Sequence, residues 1–365
     1  MGFISRRSLR ITLYVVIWMA LADLAIGLAF APGRSRIPEL QRYFEYGRSV
    51  EGKLSQMLSG ARDGRIVQAG WIDEEILRRQ PATPRDGSDM LVAAYGQSFT
   101  LNAINRAAEL DKALTVRLAG GPGAPASHSY WAYRMDAPLR KADAVVFGVL
   151  SSTVGQLSSM SGLIPMFENP APFTYPRYRV VDDRLVEELP LIRSEAAFRT
   201  AFAERGAAWQ AFREQLAASD KGFDRFTFSE SWIDRSTVGR LARRGWVAHH
   251  DGYDVGVYSS HDGFDPESAE VRVLGKLLSE ADALAKSRGE RFIVLLLHTK
   301  GHGDSLHRVL SGVLDRARIE YISTHTHFSA NDPANFLADG HYVARANDAL
   351  AAALRQRLRE PVPPR

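Results

Sequence analysis

The sequence predicts an α/β protein. It reads as a parallel five-stranded sheet with helices on both faces, preceded by an N-terminal transmembrane helix. Three observations predict it. Short apolar runs alternate with helical stretches, which argues for parallel strands joined by crossover helices. The runs are continuously apolar rather than alternating, as in strands buried on both faces. A long apolar run follows a cluster of arginines near the start of the chain.

The strands can be taken in order. Met90 to Tyr95 is a short apolar run closed by Gly96, and a helix is expected from Thr100 to Ala113. Leu114 to Leu118 is the second strand, ended by Ala119-Gly120-Gly121-Pro122-Gly123. A helix follows from Ala126 to Leu139. Ala144 to Leu150 is the third strand. The alternation resumes with a helix from Glu267 to Ser287, a strand from Arg291 to Leu297, a helix from Ser305 to Ala317 and a strand from Ile319 to Ile322. The closing helix, His341 to Leu358, is amphipathic, with Val343, Ala346, Leu350, Leu354 and Leu358 on one side.

Between the third and fourth strands lies an insertion at about 162–264. It is expected to cap the carboxyl edge of the sheet, where open α/β folds place their sites. It holds four prolines between Pro165 and Pro176, then one helix carrying Phe198, Phe202, Trp209, Phe212 and Leu216 as packing residues. Tyr130, Trp131, Tyr175 and Tyr178 are expected to be exposed and able to stack on sugar rings, with packing in the core as the alternative for any of them.

Ahead of this domain (89–365) the sequence separates a membrane anchor (1–33) from a juxtamembrane linker (34–88) with a helix from Ile37 to Leu58. Arg6, Arg7 and Arg10 precede an apolar run from Ile11 to Ala31, broken only by Asp23. That run is long enough to span a bilayer, which takes about 20 residues. The arginines are expected to stay cytoplasmic, which sends the rest of the chain across the inner membrane into the periplasm. Ala29-Phe30-Ala31 matches a signal-peptidase site, but Pro32 follows directly, so an uncleaved anchor is favoured. Ser5-Arg6-Arg7-Ser8-Leu9 also has the form of a twin-arginine signal. Asp23 is a cost inside lipid and is expected to be simply tolerated rather than to mark a contact.

Composition removes several chemistries. The chain has no cysteine, so thiolate nucleophiles, thiolate metal sites and disulfides are excluded. A formal charge of +4 over 365 residues, with no basic stripe of interleaved aromatics, argues against nucleic acid. Arg240, Arg243 and Arg244 are expected to form a solvated helix face.

Three segments can carry chemistry. Ser98, in Gly96-Gln97-Ser98-Phe99-Thr100, leaves the first core strand and opens a helix. Its hydroxyl is a candidate nucleophile, and its N–H at a helix start can meet a developing oxyanion. A serine there also makes an ordinary N-cap. Asp339-Gly340-His341 precedes the last helix. A serine nucleophile needs a base, and the base needs an orienting carboxylate. The alternative is that Asp339 caps that helix. The glycine turn after the second strand can bring a further backbone N–H to the site, or be an ordinary turn.

In order, these segments reproduce the layout of the SGNH (GDSL-like) hydrolase family, which the sequence resembles over about 90–358 outside the insertion. The resemblance implies Ser98 as nucleophile, His341 as base and Asp339 as its orienting acid. It implies Ser98 N–H and Gly120 (or Gly123) as oxyanion donors. The sequence departs from the family pattern at three places. Gln97 replaces the usual aspartate of the first block, and D-x-H replaces the frequent D-x-x-H of the last. The stretch Phe147 to Thr153 lacks the family's oxyanion asparagine, and Ser151 or Ser152 is the candidate substitute. The resemblance implies a flavodoxin-like three-layer sandwich, and the family includes lipases, carbohydrate esterases and O-acetyltransferases. The N-terminal anchor and Pro-rich insertion resemble bacterial envelope members tied to polysaccharide modification.

The resemblance therefore implies an esterase or O-acyltransferase acting on a glycan or acyl-ester substrate, without cofactor or metal. Polysaccharide-assembly proteins are possible partners. The alternative is a catalytically degenerate relative that binds glycan or scaffolds polysaccharide assembly. A rival metal reading rests on His249-His250-Asp251, His261-Asp262, His298 with His302, and His325 with His327, whose spacings match no ligand motif.

Overall fold

A computed structural model describes residues 6–30, 38–59, 70–250, 252–254, 256–259 and 263–361. In chain order the first elements are α1 (Arg6–Ala29), α2 (Pro38–Glu45), α3 (Val50–Leu58), α4 (Glu74–Arg78), β1 (Met90–Gly96), α5 (Ser98–Leu110), β2 (Leu114–Gly120), α6 (Ala126–Asp136) and β3 (Ala144–Leu150). Then come β4 (Arg177–Val181), β5 (Arg184–Glu188), α7 (Glu195–Glu204), α8 (Ala207–Ser219), α9 (Arg225–Phe228) and α10 (Thr237–His249). The chain closes with β6 (Tyr258–Ser259), β7 (Gly263–Phe264), α11 (Ala269–Arg288), β8 (Arg291–Leu297), α12 (Ser305–Ala317), β9 (Glu320–Ser323) and α13 (Ala344–Arg359).

These elements form two compact units, 1–64 with 166–170 and 223–251, and 65–165 with 171–222 and 252–365. The second unit holds a parallel five-stranded sheet in the order β2-β1-β3-β8-β9. This is the flavodoxin-like order, with its switch point between β1 and β3. Period-two alternation sorts the strand side chains into two cores. Leu91, Ala93 and Tyr95 of β1 pack with residues of α6, α11 and α12. Val92 and Ala94 pack with residues of α5 and α13. Helices thus cover both faces, which is why the strands read as unbroken apolar runs.

The insertion differs from the expectation. Its segments 162–165, 171–222 and 252–264 belong to the sheet unit, and 166–170 and 223–251 to the other. It opens with an antiparallel hairpin, β4–β5, turned by Asp182 and Asp183, both at positive φ. The aromatic helix is two helices, broken where Arg205 adopts a left-handed conformation before Gly206. Its aromatics do pack: Phe198, Phe202, Trp209 and Phe212 form a buried ring cluster.

In the other unit, α1 is long and apolar enough to cross a membrane. Ala31, Pro32 and Ser5 of the processing motifs lie outside the described residues. The linker helix is also two helices. Ser49 caps α3 by accepting from Gly52 N–H at 3.0 Å. The expected arginine face is not solvated. Arg243 is fully buried and paired with buried Asp234 at 2.8 Å, and Arg240 pairs with Glu45. Such a charge is accommodated inside only because a carboxylate and backbone carbonyls, here Gly47 O and Phe226 O, meet it.

Candidate active site

Ser98 follows β1 by two residues, on the carboxyl side of the sheet. It is the first residue of α5, and Gln97 is the N-cap. The Ser98 hydroxyl caps nothing. It lies 2.7 Å from His341 Nε2. What brings the first turn of α5 onto the sheet is a pair of glycines around Thr100. A Cβ on Gly96 would stand 2.3 Å from Thr100 Oγ1, and one on Gly148 only 1.7 Å. Both sites need the bare backbone for the helix to start there. Gln97 is buried, and its Oε1 accepts from Thr100 Oγ1 at 3.3 Å.

His341 arrives on a tight loop. Leu337 N–H donates to His341 O at 2.7 Å, and Phe336 and Tyr342 form an antiparallel bridge across the loop's base. Gly340 turns it at φ +89°, a conformation that costs an L side chain. The turn lets one carboxylate hold two points of His341. Asp339 Oδ1 accepts from the His341 backbone N–H at 3.1 Å, and Oδ2 lies 3.2 Å from Nδ1. The hydrogen bond from His341 N–H is the chief cause that holds the Asp339 carboxyl below its usual range. Helix α13 begins only at Ala344 with Val343 as N-cap, so Asp339 is not its cap.

With Nδ1 protonated toward Asp339, Nε2 is the acceptor for the Ser98 hydroxyl, an assignment made from the network. The Phe99 ring stacks on the imidazole, centroids 4.8 Å apart at 19°. Tyr342 meets Phe99 edge-on and donates its hydroxyl to His298 O at 2.8 Å. Phe99 and Tyr342 were not singled out from the sequence, although each adjoins a residue that was. The carboxylate is open: the Asp339 side chain is 66% exposed and that of His341 32%.

The candidate oxyanion donors divide. Ser98 N–H belongs to the first turn of α5, where no carbonyl of the helix can reach it. Gly120 pairs with Gly96 at the ends of β1 and β2, so close that a Cβ would fall 2.1 Å from Gly96 O. Gly123 lies further along that turn, at φ +57°. Ser151 is turned away to another partner. Its buried hydroxyl accepts from Thr299 N–H at 2.9 Å and lies 2.9 Å from Thr299 Oγ1. Ser152 is exposed.

The aromatics expected to be exposed are core instead: Tyr130, Tyr175 and Tyr178 are buried and Trp131 partly so. The sequence could not show that Tyr130 packs against Tyr178 of β4, or that Tyr175 packs against His128 and Phe173. Of the histidine clusters, Asp251, His261 and Asp262 lie outside the described residues. Among the described residues no group of three or more His, Asp or Glu side chains is arranged to hold a metal ion. His298 is buried and bonded to Thr324 Oγ1 through Nδ1, while His325 Nδ1 meets Ser323 Oγ at 2.6 Å.

The sequence matches no protein-family description and no curated protein. Among solved structures it is similar to a Bacteroides fragilis NCTC 9343 protein provisionally described as an acylhydrolase. The identity is 11%, the likeness covers 78% of this chain and 92% of that one, and the TM-score is 0.36. A likeness at this level carries no weight on activity.

Proposed function

We propose that the chain is a serine hydrolase of the SGNH type that cleaves or transfers acyl esters of a cell-envelope or exported polysaccharide. In this reading α1 holds it in the inner membrane and the sheet unit works in the periplasm. The observation that carries the chemistry is the run of contacts from Ser98 Oγ to His341 Nε2 to Asp339. The glycan part rests on the resemblance to anchored envelope members.

The steps follow from the geometry. Ser98 Oγ attacks the acyl carbonyl while His341 Nε2 takes the hydroxyl proton. The carbonyl electron pair moves onto oxygen, where Ser98 N–H and the Gly120 backbone would stabilise it. As that pair returns, the bond to the sugar oxygen breaks, and Nε2 delivers its proton to the leaving hydroxyl. The acyl-enzyme is then opened by water, which makes the protein an esterase, or by a sugar hydroxyl, which makes it an O-acyltransferase. Asp339 stays ionised and holds Nδ1–H.

One observation favours the second reading, a glycan-binding or scaffolding relative. The Ser151 hydroxyl, the first candidate to replace the family's oxyanion asparagine, is bonded to Thr299 instead. Losing one such donor costs about 10²-fold to 10³-fold in rate. Hydrolysis of p-nitrophenyl acetate and release of acetate from O-acetylated oligosaccharide, by the full chain in detergent, test the proposal. Activity lost in Ser98→Ala supports it. Glycan binding without turnover, unchanged in Ser98→Ala, would transfer the case to the second reading.

A further inference from the structure

Asp23, the one charged residue of the apolar stretch of α1, has a partner. Asp23, Ile26, Gly27 and Phe30 are part-buried at helical spacing, while their neighbours on α1 are exposed. Asp23 Oδ1 accepts from Val238 N–H at 2.7 Å, in the first turn of α10. A Cβ on Gly27 would touch Thr237 Oγ1 at 3.3 Å, and the Phe30 ring lies 5.1 Å from that of Phe44 in α2. Ser236 caps the next N–H of α10, that of Gly239, at 2.8 Å. The carboxylate in α1 is thus satisfied by a helix start within its own unit, which answers the cost it would carry alone in lipid.

This contact fixes a depth. At about 1.5 Å per residue, α1 measured from Ile11 reaches Asp23 after roughly 18 Å and Phe30 after roughly 28 Å. A hydrocarbon core is about 30 Å thick. If α1 crosses, its last two turns complete the crossing, and those are the turns that carry the start of α10. What that start presents is suited to lipid. Trp232, in the turn ahead of α10, is 77% exposed, and Val238 is 37% exposed. Leu24 and Leu28 are exposed on α1 between the contact residues. Arg235, at the end of the turn that Trp232 opens, is exposed and makes no ion pair among the described residues. Tryptophan favours the boundary between acyl chains and headgroups, and arginine beside it meets lipid phosphate.

We propose that the Trp232–Arg235 turn and the first turn of α10 lie in the interfacial layer of the bilayer, on the side where α1 ends. Trp232 and Val238 enter the acyl boundary and Arg235 meets phospholipid phosphate. The anchor is then a helix with a collar, held by Asp23, rather than a single thread. The inference rests on α1 spanning the membrane.

The chain has no cysteine, so single cysteines can be placed without removing any. The full chain, in phosphatidylethanolamine–phosphatidylglycerol vesicles, is spin-labelled at Trp232→Cys, Val238→Cys, Trp18→Cys or Asp183→Cys. Trp18 is the α1 reference, and Asp183, whose side chain is 91% exposed, the aqueous one. Collision with oxygen, enriched in lipid, is compared with collision with a water-soluble nickel chelate. The oxygen-to-nickel ratio at Trp232 and Val238 is expected to exceed that at Asp183 roughly tenfold, as for sites within about 12 Å of the hydrocarbon boundary, the depth that Asp23 sets. Ratios equal to Asp183, with Trp18 in lipid, overturn the collar and leave the span standing. Trp18 in water overturns both. Trp232 and Val238 closed to both reagents would mean that protein covers them, and also overturns the proposal.

Discussion

Ser98 Oγ and His341 Nε2 meet at 2.7 Å although 243 positions separate them in the chain. Two local devices bring them there, a helix start pressed onto two glycines and a three-residue loop turned by a third. Removing either partner is expected to remove the function of both. Ser98→Ala and His341→Ala should each lower kcat for ester hydrolysis by about 10³-fold to 10⁶-fold, with a double variant no worse. Asp339→Asn should cost less, about 10-fold to 10²-fold, because the carboxylate is open to water that can take over part of its orienting role. Steady-state kinetics on one ester, with the three variants in parallel, checks the order.

Gly340 is expected to be replaceable only at a cost. A Cβ there meets nothing within 4 Å, so the penalty is purely one of backbone conformation. At φ +89°, Gly340→Ala should lose about 1–2 kcal/mol of stability or relax the loop instead. Relaxation would part Asp339 from Nδ1, so kcat should fall while the sheet unit still melts cooperatively. Gly340→Val should be worse than Gly340→Asn, since asparagine tolerates positive φ better. Melting curves and kcat measured together distinguish the two responses.

Gly148→Ala should be among the most damaging single-methyl additions. Its Cβ would lie 1.7 Å from Thr100 Oγ1, between β3 and the first turn of α5. Overpacking of this kind costs about 1–3 kcal/mol and should displace Ser98 as well. Thr100→Ala in the same chain removes the obstructing hydroxyl and should restore part of both stability and turnover. A double-mutant cycle in urea reads the coupling directly.

Burial, followed by the nearby His325, lowers the His298 pKa to about 4. Its neutral form fits its surroundings. Nδ1–H donates to Thr324 Oγ1 at 3.0 Å, and Nε2 accepts from His307 N–H at 3.3 Å. A proton on Nε2 would break the bond from the His307 N–H. The unfolded chain binds that proton from about pH 6.5 downward, and the folded chain only near pH 4, so stability is lost as the pH falls through that window. His298→Asn keeps the donor to Thr324 and removes the titration. The stability difference between parent and variant should therefore shrink between pH 7 and pH 4, by up to about 3 kcal/mol. Urea midpoints at both pH values check the sign. Asp220, whose pKa burial raises to about 6, acts oppositely in both proteins and drops out of the difference.

The sheet was legible because a strand buried on both faces needs an unbroken apolar run, and β1, β3 and β8 each have one, while β2, at the sheet edge, carries Thr115 and Arg117 in its run. The helix breaks were not. One lies at Gly47, just past α2, where a Cβ would fall 1.9 Å from Arg240 O, a neighbour nearly two hundred residues away that no local pattern reveals. The same holds for Arg243, whose burial depends on Asp234 and on carbonyls from other segments. The serine and the Asp-x-His pair were legible as residue types in a plausible order, but not their approach to each other. Phe99, Tyr342 and the turning of Ser151 toward Thr299 depend on side-chain packing, which periodicity does not report. The partner of Asp23 was hidden for that reason too: Val238 contributes a backbone N–H, which leaves no mark in a sequence.

The most direct test of an activated serine is covalent. The full chain in detergent is treated with a fluorophosphonate and its intact mass measured, beside Ser98→Ala and His341→Ala. The account predicts one adduct on the parent, none on Ser98→Ala, and a markedly slower adduct on His341→Ala. A folded parent that takes no adduct, or one that Ser98→Ala takes equally well, would contradict it.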